Sequence, residues 1–106
     1  MFKHIKPNQL VELQQQHDVQ VVDIRDPQSY AMGHIPHAFL LDNSNVGQYI
    51  AAADFNRPLV VCCYHGNSSQ GAAQYLAEQG FTDVYSLDGG LETWKLTQPD
   101  QIEKGA

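Results

Sequence analysis

Short apolar runs alternate along this chain with segments of helical period, and the alternation lays out the elements. After Pro7, which a first helical turn tolerates, Leu10, Val11 and Leu13 give the next segment an apolar side. Val19–Ile24 (VQVVDI) is rich in β-branched residues and reads as a strand. It ends at Arg25-Asp26-Pro27, where Asp26 is placed to cap a helix and Pro27 to begin it. That short helix, QSYAM, stops at Gly33, and Ala38–Leu41 (AFLL) forms a second short strand. The stretch NSNVGQYIAAA after Asp42 is helical in pattern, with Gly47 a weak point. Arg57-Pro58 breaks the chain before LVVCC, a run apolar on both faces, as a strand covered by helices on both sides must be. Ala72, Ala73, Leu76 and Ala77 then recur at helical spacing up to a stop at Gly80. Val84–Leu87 (VYSL) is the last strand, and Asp88-Gly89-Gly90 turns into the helical LETWKL. The polar tail Thr97–Ala106 is expected to pack loosely. The order predicts one α/β domain over residues 1–106, a central, mainly parallel β-sheet flanked by helices on both faces.

Composition narrows the function. A chain of 106 residues, 42% hydrophobic and 17% charged, suits a single globular domain with a real core. Twelve acidic against six basic residues leave a net charge of -6 and no basic cluster, so nucleic acid is not an expected partner. The opening MFKHIKPNQLVEL lacks the apolar core of a signal sequence, and the longest apolar run, Leu59–Cys63, is too short to span a bilayer. The expectation is a cytoplasmic protein without membrane attachment, its thiols kept reduced.

The chemistry-bearing stretch is LVVCCYHGNSSQGAAQYL, residues 59–76, which holds both cysteines of the chain. Adjacent cysteines make a poor disulfide, and they do not form the C-x-x-C pairs of a zinc site, so neither a metal nor a cofactor is expected. Ligands of parallel α/β sheets bind beyond the carboxyl ends of the strands, where Cys63 sits. The loop Tyr64-His65-Gly66-Asn67-Ser68-Ser69 leads from it directly into a helix. Gly66 and Asn67 tolerate positive φ, so the loop can curl and turn its N–H groups inward. Such a nest backed by a helix N-terminus holds anions, and a thiol over it becomes a low-pKa nucleophile. Ser68 and Ser69 add hydroxyl donors, and Ser69 is equally a candidate helix N-cap. Cys62, inside the apolar run, reads as a core residue. His65 is either a base for Cys63 or a residue facing solvent, with no third group visible to orient it.

Three segments in order resemble the single-domain rhodaneses, a family of thiosulfate sulfurtransferases, and most closely its bacterial GlpE type. VVDIRDPQSYAMGHIPHA (21–38) is similar to the family's D-x-R…GHIPGA signature, CYHGNSS to its cysteine loop, and VYSLDGGLETW (84–94) to its closing Gly-Gly…Trp segment. Two features depart from the common pattern: His37 stands where the signature has glycine, and Tyr64 and Ser68 stand where many rhodaneses carry arginines. The resemblance implies a rhodanese-like fold and a Cys63 thiolate that takes the outer sulfur of thiosulfate and releases sulfite. The resulting persulfide, held by backbone N–H groups from Tyr64 to Ser69, would pass its sulfur to cyanide or to a dithiol such as thioredoxin. Asp23 and Arg25 match the D-x-R pair and are expected to buttress the sheet ends as a structural ion pair. Two other functions are weighed against this one. A phosphatase or arsenate reductase of related fold uses a C-x5-R loop, but the sixth residue after Cys63 is Ser69. A noncatalytic interaction domain has no need of a cysteine in an intact anion loop.

Overall fold

The computed structural model describes residues 1–105, which form β1 (Lys3–Ile5), α1 (Pro7–Gln16), β2 (Gln20–Asp23), α2 (Pro27–Met32), β3 (Phe39–Leu40), α3 (Val46–Ala52), β4 (Leu59–Cys62), α4 (Ser68–Glu78), β5 (Val84–Leu87) and α5 (Gly90–Thr97). The strands make one five-stranded sheet in the order β1-β5-β4-β2-β3, and every pairing is parallel. All four residues of β4 are buried. Its pleat sends Val60 and Cys62 into a cluster with Leu10 of α1 and with Leu91 and Trp94 of α5. Leu59 and Val61 go the other way, to Ala73 and Leu76 of α4 and the apolar side of α3. This two-sided cover is why LVVC carries no polar position, and each fully buried Val or Leu contributes roughly 1.5–3 kcal/mol of transfer free energy.

The caps follow the sequence. Asp26 accepts the N–H of Ser29 at 3.0 Å and Pro27 opens α2. Three of the expected strands shorten at their ends while Val84–Leu87 keeps its bounds, and the helix expected from Asn43 starts at Val46. β1 has no counterpart among the sequence-predicted elements. It is three residues with only Ile5 buried, too short to show a period. It is held at the sheet edge by pairing with β5, by an ion pair from Lys3 to Asp83 and by a hydrogen bond between the His4 ring and Asp88, both 2.8 Å.

The tail is the clear correction, because it is not loosely packed. The Trp94 indole N–H donates to the Gln101 carbonyl at 2.8 Å, and Ile102 packs on the Trp94 cluster. His34 and Glu103 exchange backbone hydrogen bonds of 2.9 and 2.8 Å, and the Gly105 N–H reaches the Ala31 carbonyl at 2.8 Å. One apolar anchor and backbone pairing hold the segment, and neither is visible in a polar composition. Ala106 lies outside the described residues. The same tail supports the departure at His37, the one non-glycine residue among those described with positive φ, at 68°. Its N–H donates to the Glu103 carboxylate at 3.3 Å, and its side chain is exposed.

Candidate active site

Strand β4 ends at Cys62, and Cys63 is the first residue of the loop that follows. Cys62 continues the pleat into the apolar cluster beneath α5, where burial, with Asp23 adding to it, pushes its thiol well above the ordinary range. The Sγ of Cys63 faces the start of α4 instead. It accepts the N–H groups of Gly66 and Ser69, both at 3.2 Å, and lies 3.2 Å from the Ser69 hydroxyl. Burial works against its thiolate. The Ser69 hydroxyl and the N–H groups of Ser69, Gly66 and His65 outweigh that cost, and the thiol is held below its usual value. Two neighbouring cysteines are thereby driven apart by packing on one side and hydrogen bonding on the other.

The curl of the loop has two causes. Gly66 takes φ 88°, and a Cβ there would lie 2.8 Å from the Gly89 nitrogen, so both conformation and space exclude a side chain. The other cause comes from α5. Its first turn donates the Leu91 N–H to the Cys63 carbonyl at 2.8 Å and the Glu92 N–H to the Tyr64 carbonyl at 3.1 Å. In a trans peptide the N–H points opposite to the C=O, so this contact turns the N–H groups of Tyr64 and His65 away from α5. Gly90 permits the approach, since a Cβ there would sit 2.5 Å from the Cys63 oxygen. The Gly-Gly turn is thus part of the site.

The sequence-predicted site residues divide into two groups. Cys63, Gly66 and Ser69 meet at the sulfur. Ser69 is not the N-cap of α4 but its second residue, fully buried, with its hydroxyl turned to Cys63. Tyr64, His65, Asn67 and Ser68 place their side chains at the exposed rim. The Tyr64 phenol hydrogen-bonds the Asp26 carboxylate and lies 3.0 Å from the Ser29 hydroxyl, tying the loop to the N-terminus of α2. These bonds from Tyr64 and Ser29 hold the Asp26 carboxyl well below the usual range. Asn67 does not use the left-handed region expected of it. At φ −94°, ψ −60° it is right-handed, and the turn rests on Gly66. Among buried groups, sequence reasoning missed Ser86, whose hydroxyl lies 2.7 Å from that of Ser69. Its signal was a polar residue in the otherwise apolar reach of VYSL.

Among the described residues, no cationic side chain hydrogen-bonds the cysteine sulfur. Arg25 is engaged elsewhere through two of its nitrogens, its Nη2 on Asp23 at 2.7 Å and on the Gly33 carbonyl at 2.8 Å, with Nε also on Asp23. The pair is buried and ties the end of β2 to the end of α2, a structural role. The donors at Cys63 are therefore neutral N–H and O–H groups at the start of an eleven-residue helix, a cradle for one anionic sulfur.

A family model described as Rhodanese-like domain matches residues 6–97. Two curated relatives carry the name thiosulfate sulfurtransferase GlpE. The one from Pseudomonas fluorescens is 57% identical over 98% of this chain and 94% of its own length. The one from Shewanella oneidensis is 60% identical over 88% and 92%. Among solved structures, a rhodanese-like domain protein from Staphylococcus aureus superposes with a TM-score of 0.81 at 25% identity, covering 99% of this chain and all of that one. A rhodanese-like domain from Anabaena reaches 0.84 at 23% identity, over 98% of this chain and 80% of that one, a likeness of fold.

Proposed function

Because this chain belongs to the rhodanese-like family, we propose that it is a thiosulfate sulfurtransferase whose sulfur carrier is Cys63. The Cys63 thiolate attacks the outer sulfur of thiosulfate. A bond forms between Sγ and that sulfur, the sulfur–sulfur bond of thiosulfate breaks, and its electron pair leaves with sulfite. The outer sulfur remains on Cys63 as a persulfide, and the inward N–H groups of the loop share its negative charge. In the second step cyanide attacks the terminal sulfur and leaves as thiocyanate, restoring the thiolate. A small dithiol or a thioredoxin-like protein serves equally. One thiolate takes the sulfur, and the second displaces it as hydrosulfide while closing a disulfide. A cytoplasmic setting, where dithiols are kept reduced, suits that step.

The observation that carries this reading is the set of neutral donors on Cys63 Sγ, which favour an anionic sulfur at that atom. The test is direct. Incubated with thiosulfate, the protein should gain the mass of one sulfur on the peptide bearing Cys63, and added cyanide should remove it as thiocyanate. Absence of any persulfide after thiosulfate would overturn the assignment of that donor. Loading from mercaptopyruvate alone would replace the donor and keep the chemistry.

A further inference from the structure

Three groups form a buried chain: Cys63 Sγ, the Ser69 hydroxyl 3.2 Å from it, and the Ser86 hydroxyl 2.7 Å further on. Ser69 and Ser86 are wholly inaccessible, and the hydroxyl partner of Ser86 is Ser69. Two links join the three groups, so the chain accommodates two hydrogens. With Cys63 as a thiol it holds three. If the S–H donates to Ser69 and Ser69 donates to Ser86, the hydroxyl hydrogen of Ser86 is left buried without an acceptor, a costly arrangement. With Cys63 as a thiolate, Ser86 donates to Ser69, Ser69 donates to Sγ, and every hydrogen is used. Donation from Ser86 also polarises the Ser69 O–H toward the sulfur.

We propose that Ser86 is a positioning residue for the reaction, acting through Ser69 to make the Ser69 hydroxyl a donor to Cys63. Ser86 reaches no substrate. It fixes the direction of one hydrogen bond by closing the far end of the chain. The charged and titratable groups around the loop have other partners. Asp23 and Arg25 bind each other at the end of β2, and Asp26 of α2 takes Tyr64. On the turn after β5 Asp88 pairs with His4, and within α5 Glu92 pairs with Lys95. Cys62 lies in the opposite packing layer, and His65 is at the rim. None of them hydrogen-bonds Ser69 or Ser86. The inference rests on Cys63 being the reactive thiol of the proposed sulfurtransferase, but its test does not require sulfur transfer.

The experiment is the pH profile of Cys63 alkylation by iodoacetamide, read by mass spectrometry on the Cys63 peptide. Ser86→Ala should move the midpoint up by about one pH unit, which below both midpoints is about a tenfold slower reaction. Ser86→Thr, which keeps the hydroxyl, should restore the wild-type midpoint, and its isostere Ser86→Val should not. In a Ser69→Ala background, Ser86→Ala should change nothing further, because its route to the sulfur is gone. A midpoint unmoved in Ser86→Ala and Ser86→Val would overturn the proposal, as would an undiminished shift in the Ser69→Ala background. A shifted midpoint in a protein that fails to transfer sulfur would uphold Ser86 and discard the sulfurtransferase reading.

Discussion

The N–H of Leu91 donates to the carbonyl of Cys63 at 2.8 Å, so the first turn of α5 and the cysteine loop move as one piece. Gly90 makes this contact possible. With φ 59° and its absent Cβ pointing 2.5 Å from the Cys63 oxygen, it cannot carry a side chain without displacing the loop. Gly90→Ala should cost about 2–3 kcal/mol in urea unfolding. It should also slow Cys63 alkylation, because the N–H cradle is misaligned. A variant as stable and as reactive as the parent would show that the helix does not set the loop.

The two cysteines should separate cleanly under mutation. Cys63→Ser removes the nucleophile alone and should abolish persulfide formation with the unfolding midpoint unchanged. Cys62→Ala should retain transfer and lose about 1 kcal/mol of stability, as for the deletion of a small buried group. Iodoacetamide at mildly acidic pH should label Cys63 first, since hydrogen bonds hold its thiol below the usual range while burial pushes the Cys62 thiol up. Preferential labelling of Cys62 would reverse the assignment.

Phosphatase activity should be absent. Phosphoryl transfer needs charge placed on the equatorial oxygens, and the loop offers Ser69 where a C-x5-R site has its arginine. Arg25 is chelated by Asp23 and cannot substitute. Cys63-dependent hydrolysis of an aryl phosphate above background would refute this.

How much of this was legible beforehand depends on what each feature rests on. β4 and its loop could be read because a continuous apolar run and a Gly-containing polar loop are local signals. The split of roles between Cys62 and Cys63 could be read because one lies inside the apolar run and the other opens the polar loop. The carbonyl contacts from Leu91 and Glu92 could not be read, because they depend on β5 lying next to β4, a fact of topology. Ser86 was hidden for the same reason, since its partner is seventeen residues away on another element. β1 and the tail escaped because three residues and one isoleucine are too little pattern.

The tail supplies a pH prediction. The His37 N–H, and then the His34 ring, hold the Glu103 carboxyl below its usual value. A carboxyl depressed in the folded state adds stability above the ordinary glutamate range, near ~4.3, and that contribution is lost as pH falls through the depressed folded value. Wild type should therefore be more stable than Glu103→Gln at neutral pH, and the two should converge as pH falls through the depressed folded value. Trp94 fluorescence reports the change, since its indole is bound to Gln101 of the tail. Parallel stability curves across that range would exclude the linkage.

His37 carries its left-handed conformation at a cost that glycine would not bear. His37→Gly should raise stability by roughly 0.5–1 kcal/mol, the relieved strain outweighing the added freedom of the unfolded chain. His37→Val should lower it, because a β-branched side chain tolerates positive φ least. Thermal unfolding of the two variants against wild type measures both signs.

The place of β5 between β1 and β4 also governs how the protein comes off the ribosome. β1 is translated first, yet its register partners Tyr85, Ser86 and Leu87 are among the last strand residues made. Until they emerge, Ile5 has no sheet to join and β4 presents an open edge to any other nascent chain. The sheet therefore closes only after β5 has been made, and contacts so distant in sequence form slowly. Cys63 is built well before the helix that takes its carbonyl, so the nascent chain carries an ordinary thiol, and the reactive one belongs to the finished molecule.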